Sequence, residues 1–128
     1  MLVAAPYVKS AIGEYDAAPP TYIYPRRDHV VLGSTYLQGD GTRDVCDRTT
    51  AAIVERCSAF VPELRTAPIK AVVVCLRPGR NAGVRVESER VGRFTLVHCY
   101  GHGGAGLSLA WGCARDVARL VSTAASRL

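Results

Sequence analysis

Apolar and polar positions alternate through the first third of the chain, and prolines and glycines interrupt the alternation. Residues 2–12 carry enough apolar character for one strand, with Pro6 placing it at an edge or bend. Residues 16–20 are a short polar, proline-rich loop. Residues 21–24 are β-prone, 25–28 make a turn and 29–37 return, so this stretch predicts a hairpin. Gly39 and Gly41 break the returning strand. Helical spacing follows: Asp47 is the expected N-cap, and Ala52, Ile53, Arg56, Cys57 and Phe60 share one side before Pro62 ends the helix.

Residues 70–76, "KAVVVCL", form an uninterrupted apolar run, expected as a strand buried on both faces. Two further strands are expected at 84–87 and 94–99. Residues 107–120 form the core of a second helix, with Leu107, Trp111, Ala114, Ala118 and then Val121 at helical spacing. Strands dominate the first three quarters, and a strand–glycine loop–helix unit closes the chain. The fold class is therefore α+β: an antiparallel-sheet portion, then a unit of the kind that ends an α/β domain. No second βαβ unit accompanies it, and no internal repeat appears.

Composition changes this picture little. With 48% hydrophobic and 21% charged residues, the chain reads as an ordinary soluble globular protein. The net charge of +5 is scattered, with Arg26 and Arg27 the sole adjacent basic pair, so no nucleic-acid partner is expected. No apolar run approaches the ~18 residues of a membrane span, so no membrane partner is expected either. Cys46, Cys57, Cys75, Cys99 and Cys113 are odd in number and lack CxxC spacing. With no signal peptide ahead of them, they are expected to be mostly small core residues in a reducing compartment.

The most distinctive stretch is "LVHCYGHGGAGLSLAWGC". Gly101, Gly103, Gly104 and Gly106 strip side chains from the point where a strand becomes a helix. Bare amides there can approach a ligand closely, and the helix N-terminus favours phosphate or an oxygen that gains negative charge. A glycine turn that serves packing alone reads equally well. The spacing is Gly101-x-Gly103-Gly104-x-Gly106, with too little chain after it for the acidic residue of the dinucleotide fingerprint, and no Lys-Ser/Thr pair follows as in a P-loop. It suits a loop that completes a cofactor site built mainly by other segments.

His98, Cys99, His102 and Cys113 raise the question of a metal. Strand alternation sends His98 and Cys99 to opposite faces, and no second ligand pair has zinc-like spacing, so no metal is expected. Arg77, ahead of Pro78 and Gly79, could grip a carboxylate in a bidentate fork; a structural arginine packed by its stem is the other reading. Tyr22 and Tyr24 share one strand face. No nucleophile triad and no close acid pair can be argued.

Taken in order, "TYIYP", "HVVLG", "LRPGR", "GVRVE" and "VHCYGHGGAGLSLAWGCARDVARLV" resemble the D-amino-acid oxidase and D-aspartate oxidase family of FAD-dependent enzymes. The similarity spans nearly the whole chain but covers only the C-terminal portion of such an enzyme. It implies a partial substrate-binding domain at 1–83 and the C-terminal part of the FAD-binding domain at 84–128. The chain is thus expected to be a fragment, short isoform or incomplete product of such an oxidase.

By this resemblance, Arg77 clamps the substrate α-carboxylate, the Tyr22 hydroxyl shares it, and the Gly104 carbonyl accepts from the substrate amine. Gly103, Gly104, Ala105, Gly106, Leu107 and Ser108 line FAD, and no side chain acts as acid or base. Hydride passes from the D-amino acid Cα to the flavin; the imino acid hydrolyses to a 2-oxo acid and ammonia, and oxygen gives hydrogen peroxide. The implied partners are a D-amino acid and molecular oxygen, with a homodimer and the peroxisomal import receptor as further partners.

The family's lid tyrosine falls here on Ala18. The arginines expected for an acidic substrate side chain fall on Tyr15 and Tyr36, so both neutral and acidic substrates stay open. Ser126, Arg127 and Leu128 fit a peroxisomal address, with a cytoplasmic location the alternative. Two other functional readings stay open: a non-catalytic relic of the same family, and a small phosphate- or nucleotide-binding module.

Overall fold

The computed structural model describes residues 1–125; the tripeptide Ser126-Arg127-Leu128, read above as an address, lies outside the described residues. The fold is α+β with antiparallel sheets, and the chain forms two compact units, Met1–Cys75 and Leu76–Leu128.

The first unit holds strands β1 (Leu2–Val3), β2 (Ile12–Glu14), β3 (Thr21–Pro25), β4 (Val30–Gly33) and β5 (Ile69–Ala71) in the order β2-β3-β4-β1-β5. β3 and β4 are the expected hairpin, closed by the Arg26 N–H donating to the His29 carbonyl at 2.8 Å. Ile23 faces Leu32 across the pair, and both are fully buried. Helix α1 (Asp47–Ser58) packs against β3 and β4, turning Ile53 and Cys57 inward. Val3, Ile23, Leu32, Cys57 and Leu64 form the driest part of this core. Arg56 is tied back to the sheet, its guanidinium donating to the Ser34 carbonyl at 2.7 Å and to Thr21 Oγ1 at 3.3 Å.

Several expectations are corrected in this unit. The strand expected over 2–12 is two short strands, because the chain turns at Pro6, where the Val8 N–H donates to the Ala5 carbonyl at 3.1 Å. β4 stops at Gly33, and Leu37 is 62% exposed. Asp47 is the first helical residue instead of the cap; Cys46 is the cap, and its carbonyl accepts from both the N–H and the hydroxyl of Thr50. Pro62 does not simply end a helix but opens a 3-10 turn, Pro62–Thr66, where its missing N–H costs nothing.

The larger correction concerns 70–76. Only Ile69–Ala71 is strand, at the sheet edge with β1 its single partner, and all three residues are exposed. Val73 and Leu76 are also exposed. A continuous apolar run reports hydrophobicity, not cover, and an edge strand lacks a neighbour on one side. The cysteines follow the same lesson: Cys57 alone is buried, its thiol pushed up by that burial, whereas Cys46, Cys75 and Cys99 are exposed.

The second unit is a hairpin and a helix. β6 (Arg85–Val91) and β7 (Phe94–Tyr100) pair in register through a two-residue turn, where Gly92 takes a φ of 59°. One hairpin face carries Arg85, which donates to Glu87 at 2.6 Å, to Glu89 at 2.7 Å and to the Tyr100 hydroxyl at 3.1 Å. Helix α2 (Gly106–Ala125) packs against β6 and β7. Its half-buried positions are Cys113, Val117, Leu120 and Ala124. That stripe is not the one marked by the sequence: Leu107 and Trp111 are 91% and 89% exposed. No helix among the described residues is long and apolar enough to cross a membrane.

Two outcomes are expected. Leu32→Ala should lower stability by about 2–5 kcal/mol through cavity formation, whereas Leu37→Ala should change it by less than about 0.5 kcal/mol. Urea midpoints of the two variants check this. The second outcome concerns Glu87, whose carboxyl the Arg85 hydrogen bond and charge hold below the ordinary glutamate range. Its contribution is therefore complete above the ordinary pKa of about 4.3 and is lost as pH falls through the lowered folded value. An NMR titration should show the depressed midpoint, and Arg85→Gln should return it to the ordinary range.

Candidate functional site

Two loops of the second unit meet. The first is Arg77-Pro78-Gly79-Arg80; the second is the glycine turn after β7. The Gly103 N–H donates to the Pro78 carbonyl at 3.0 Å, and Gly79 and His102 form an isolated antiparallel bridge. Gly101 and Gly103 take φ values of 84° and 55°, which side-chain-bearing residues rarely adopt. At Gly101 an added Cβ would also lie 2.9 Å from Arg80 Cβ and 3.3 Å from the Gly83 carbonyl oxygen. Its glycine is required twice over.

The turn brings Arg77 and Gly104 together. A Cβ on Gly104 would stand 3.0 Å from Nη1 of Arg77, so the guanidinium lies against the bare backbone of the turn. The turn then runs into α2. The Ala105 N–H donates to the His102 carbonyl at 2.9 Å, and the first i→i−4 bond at the helix start runs from Leu109 to Ala105 at 3.0 Å. The amides of Gly106, Leu107 and Ser108 precede that ladder and sit at the positive end of the helix dipole. Residues 104–108 are exposed. The local result is a guanidinium beside a row of backbone amides, a combination suited to carboxylate and to oxygen atoms carrying negative charge.

Tyr22 belongs to the first unit. It stands opposite Gly33 in the β3–β4 register, and the missing side chain there makes room for its ring. The ring stacks on Tyr24, with centroids 4.9 Å apart and planes 10° off parallel. The Tyr24 hydroxyl in turn hydrogen-bonds that of Tyr15. Tyr15 and Tyr36, the positions where acid-binding arginines were expected, are both exposed.

Three of the four residues weighed as metal ligands in the sequence are brought together by the fold. Cys99 at the end of β7, His102 in the turn and Cys113 in α2 place their ligand atoms within 4.8 Å of one another. His102 Nε2 lies 3.9 Å from Cys99 Sγ and 3.4 Å from Cys113 Sγ. Alternation does separate His98, whose Nε2 lies 3.5 Å from a Glu89 carboxylate oxygen on the other hairpin face. The signal that could have found the cluster is the reversal of the chain by the glycines, which folds α2 back towards β7.

The profile of the family described as FAD dependent oxidoreductase matches residues 2–120. The chain is 44% identical over 109 residues to a D-amino-acid oxidase of Streptomyces coelicolor, covering 84% of this chain and 33% of that protein. It is 43% identical over 116 residues to a D-amino-acid oxidase of Rubrobacter xylanophilus, covering 90% and 35%. A D-aspartate oxidase of Homo sapiens is 41% identical over 124 residues, covering 94% and 36%. The chain belongs to the FAD-dependent oxidoreductase family of the D-amino-acid oxidases. It spans about a third of the length of these relatives.

The backbone demands of the turn give a contrast in stability. Gly101→Ala should cost at least about 1–2 kcal/mol, from the left-handed conformation and the contact with Arg80. Gly112→Ala, inside α2 with open space around it, should stabilise by about 0.5–1 kcal/mol. Thermal melts of the two variants should move in opposite directions.

Proposed function

We propose that this chain is the C-terminal portion of an FAD-dependent oxidase that deaminates D-amino acids to 2-oxo acids, ammonia and hydrogen peroxide. The observation that carries the reading is the Arg77 guanidinium set against Gly104 in the turn that opens α2. Arg77 holds the substrate carboxylate by a charge-assisted fork, and the Gly104 carbonyl accepts from the substrate amine. Together they fix the orientation of the Cα–H bond, which is most of what this chemistry asks of the protein. FAD, when bound, supplies the two-electron acceptor.

The turn fits a flavin. Among the described residues, no heavy atom beyond its chain neighbours lies within 4 Å of an added Cβ at Gly103, so a planar group can approach the backbone there. Ala105, Gly106, Leu107 and Ser108 continue the lining, and their exposed amides lend positive potential where a reduced flavin gathers negative charge. These residues contact only part of the cofactor. The G-x-G-x-x-G spacing in residues 1–128 is the turn itself, Gly101 to Gly106, and no Asp or Glu stands about twenty positions after it, so it is not the unit that holds an ADP moiety. The isolated chain therefore binds FAD far more weakly than the nanomolar range, about −12 kcal/mol.

The test has two arms. FAD titrated against the 128-residue chain should give weak binding or none; nanomolar affinity would contradict the partial-site reading. In the second arm, the N-terminal part of the Streptomyces coelicolor oxidase is joined ahead of residues 1–128, and flavin content and peroxide release are measured with D-alanine and D-aspartate. Arg77→Ala in that protein should weaken benzoate binding by roughly 2–4 kcal/mol while leaving the flavin in place. Gly104→Val should disturb both. Unchanged benzoate affinity in Arg77→Ala would make Arg77 a packing arginine and sink the proposal.

A further inference from the structure

We propose that Cys99, His102 and Cys113 form a zinc-binding site that clasps the glycine turn to helix α2. The three ligand atoms come from three differently constrained segments. Cys99 lies within the β7 ladder opposite Val86, and Cys113 lies two turns into α2. His102 is held between them by its bridge to Gly79 and by the Ala105 N–H that its carbonyl accepts.

The distances suit the ion. Tetrahedral zinc with Zn–S of about 2.3 Å and Zn–N of about 2.0–2.1 Å sets nitrogen and sulfur roughly 3.5 Å apart and two sulfurs roughly 3.8 Å apart. The observed N–S separations of 3.4 and 3.9 Å, with all ligand atoms within 4.8 Å, need only side-chain adjustment. Two thiolates and an imidazole are a borderline-soft set that favours zinc over magnesium or calcium. Cys99 is exposed and the other two are half-buried, which leaves an entry path and a fourth position for water.

This site is separate from the flavin reading, since its ligands are not the residues assigned to FAD or substrate. Zinc would nonetheless act on the same turn, fixing the segment from Cys99 through His102 against α2.

The test is metal binding by the reduced 128-residue chain, with cobalt as the spectroscopic probe and competition against a chromogenic chelator for zinc affinity. We expect one ion per chain, a thiolate-to-cobalt charge-transfer band, tetrahedral visible bands and a rise in Tm with zinc. Because outer-shell changes alone commonly cost about 10–100-fold, Cys99→Ser, His102→Ala and Cys113→Ser should each weaken zinc by at least about tenfold. Cys46→Ser and Cys75→Ser should leave it unchanged. Circular dichroism reports whether each variant keeps its helix, and exposed Cys99 is the substitution least prone to disturb folding. The proposal is overturned if the reduced chain takes up no zinc, if cobalt shows no thiolate band, or if Cys99→Ser keeps both its helix and full affinity. Equal losses in the Cys46 and Cys75 variants would likewise overturn it.

Discussion

The second unit depends on one backbone contact, the Gly103 N–H donating to the carbonyl of Pro78 alongside the Gly79–His102 bridge. Pro78 limits the conformations of the segment that carries Arg77, and the bridge stops that segment from drifting away from the turn. Arg77 therefore lies against Gly104 by backbone constraint as well as by its own side chain. The same contact fixes where His102 stands and the direction in which α2 departs. The Arg77 guanidinium, a helix N-terminus and a Cys–His cluster are thus placed by one pairing of two short loops.

The pairing explains what was legible in the sequence. Tyr22–Tyr24, the turn at Pro25, α1, α2 and the two strands expected at 84–87 and 94–99 were readable because local rules govern them, although the first of those strands runs on to Val91 and the two pair as a hairpin. The glycine turn was readable because four glycines in six positions have few other uses. Arg77 was singled out for its chemistry, but nothing local in "LRPGR" says that its guanidinium meets a glycine 27 positions later. That is a property of the loop pairing, and single-chain periodicity carries no record of it.

The misreadings have the same origin. The run over 70–76 is apolar on every side, and only the sheet order reveals that β5 is an edge with one partner. In α2, two apolar stripes coexist. One contains Leu107 and Trp111; the other contains Cys113, Val117, Leu120 and Ala124, and it is the second that is half-buried while α2 packs on the hairpin. The proximity of Cys99, His102 and Cys113 was not legible either, because spacing rules compare positions along one element. Cys99, His102 and Cys113 come from a strand, a turn and a helix, so only the reversal of the chain assembles them.

Each unit is ordered internally by a different force. Every buried apolar residue among those described lies between Met1 and Leu64, and no residue of α2 is buried. The first unit therefore rests on excluded water, at about 1.5–3 kcal/mol for each large side chain fully buried. The second unit has a two-stranded hairpin, an arrangement that is marginal alone, and one helix with a half-buried stripe. Its order rests instead on paired backbone groups, the Arg85 network and glycines in conformations that other residues resist. Positions that would be neutral in a well-covered domain thus become decisive here. A single Cβ at Gly101 weighs more in this unit than the loss of an exposed leucine does in the other, and that backbone precision is what a loop must have if it is to hold a planar ligand against bare amides.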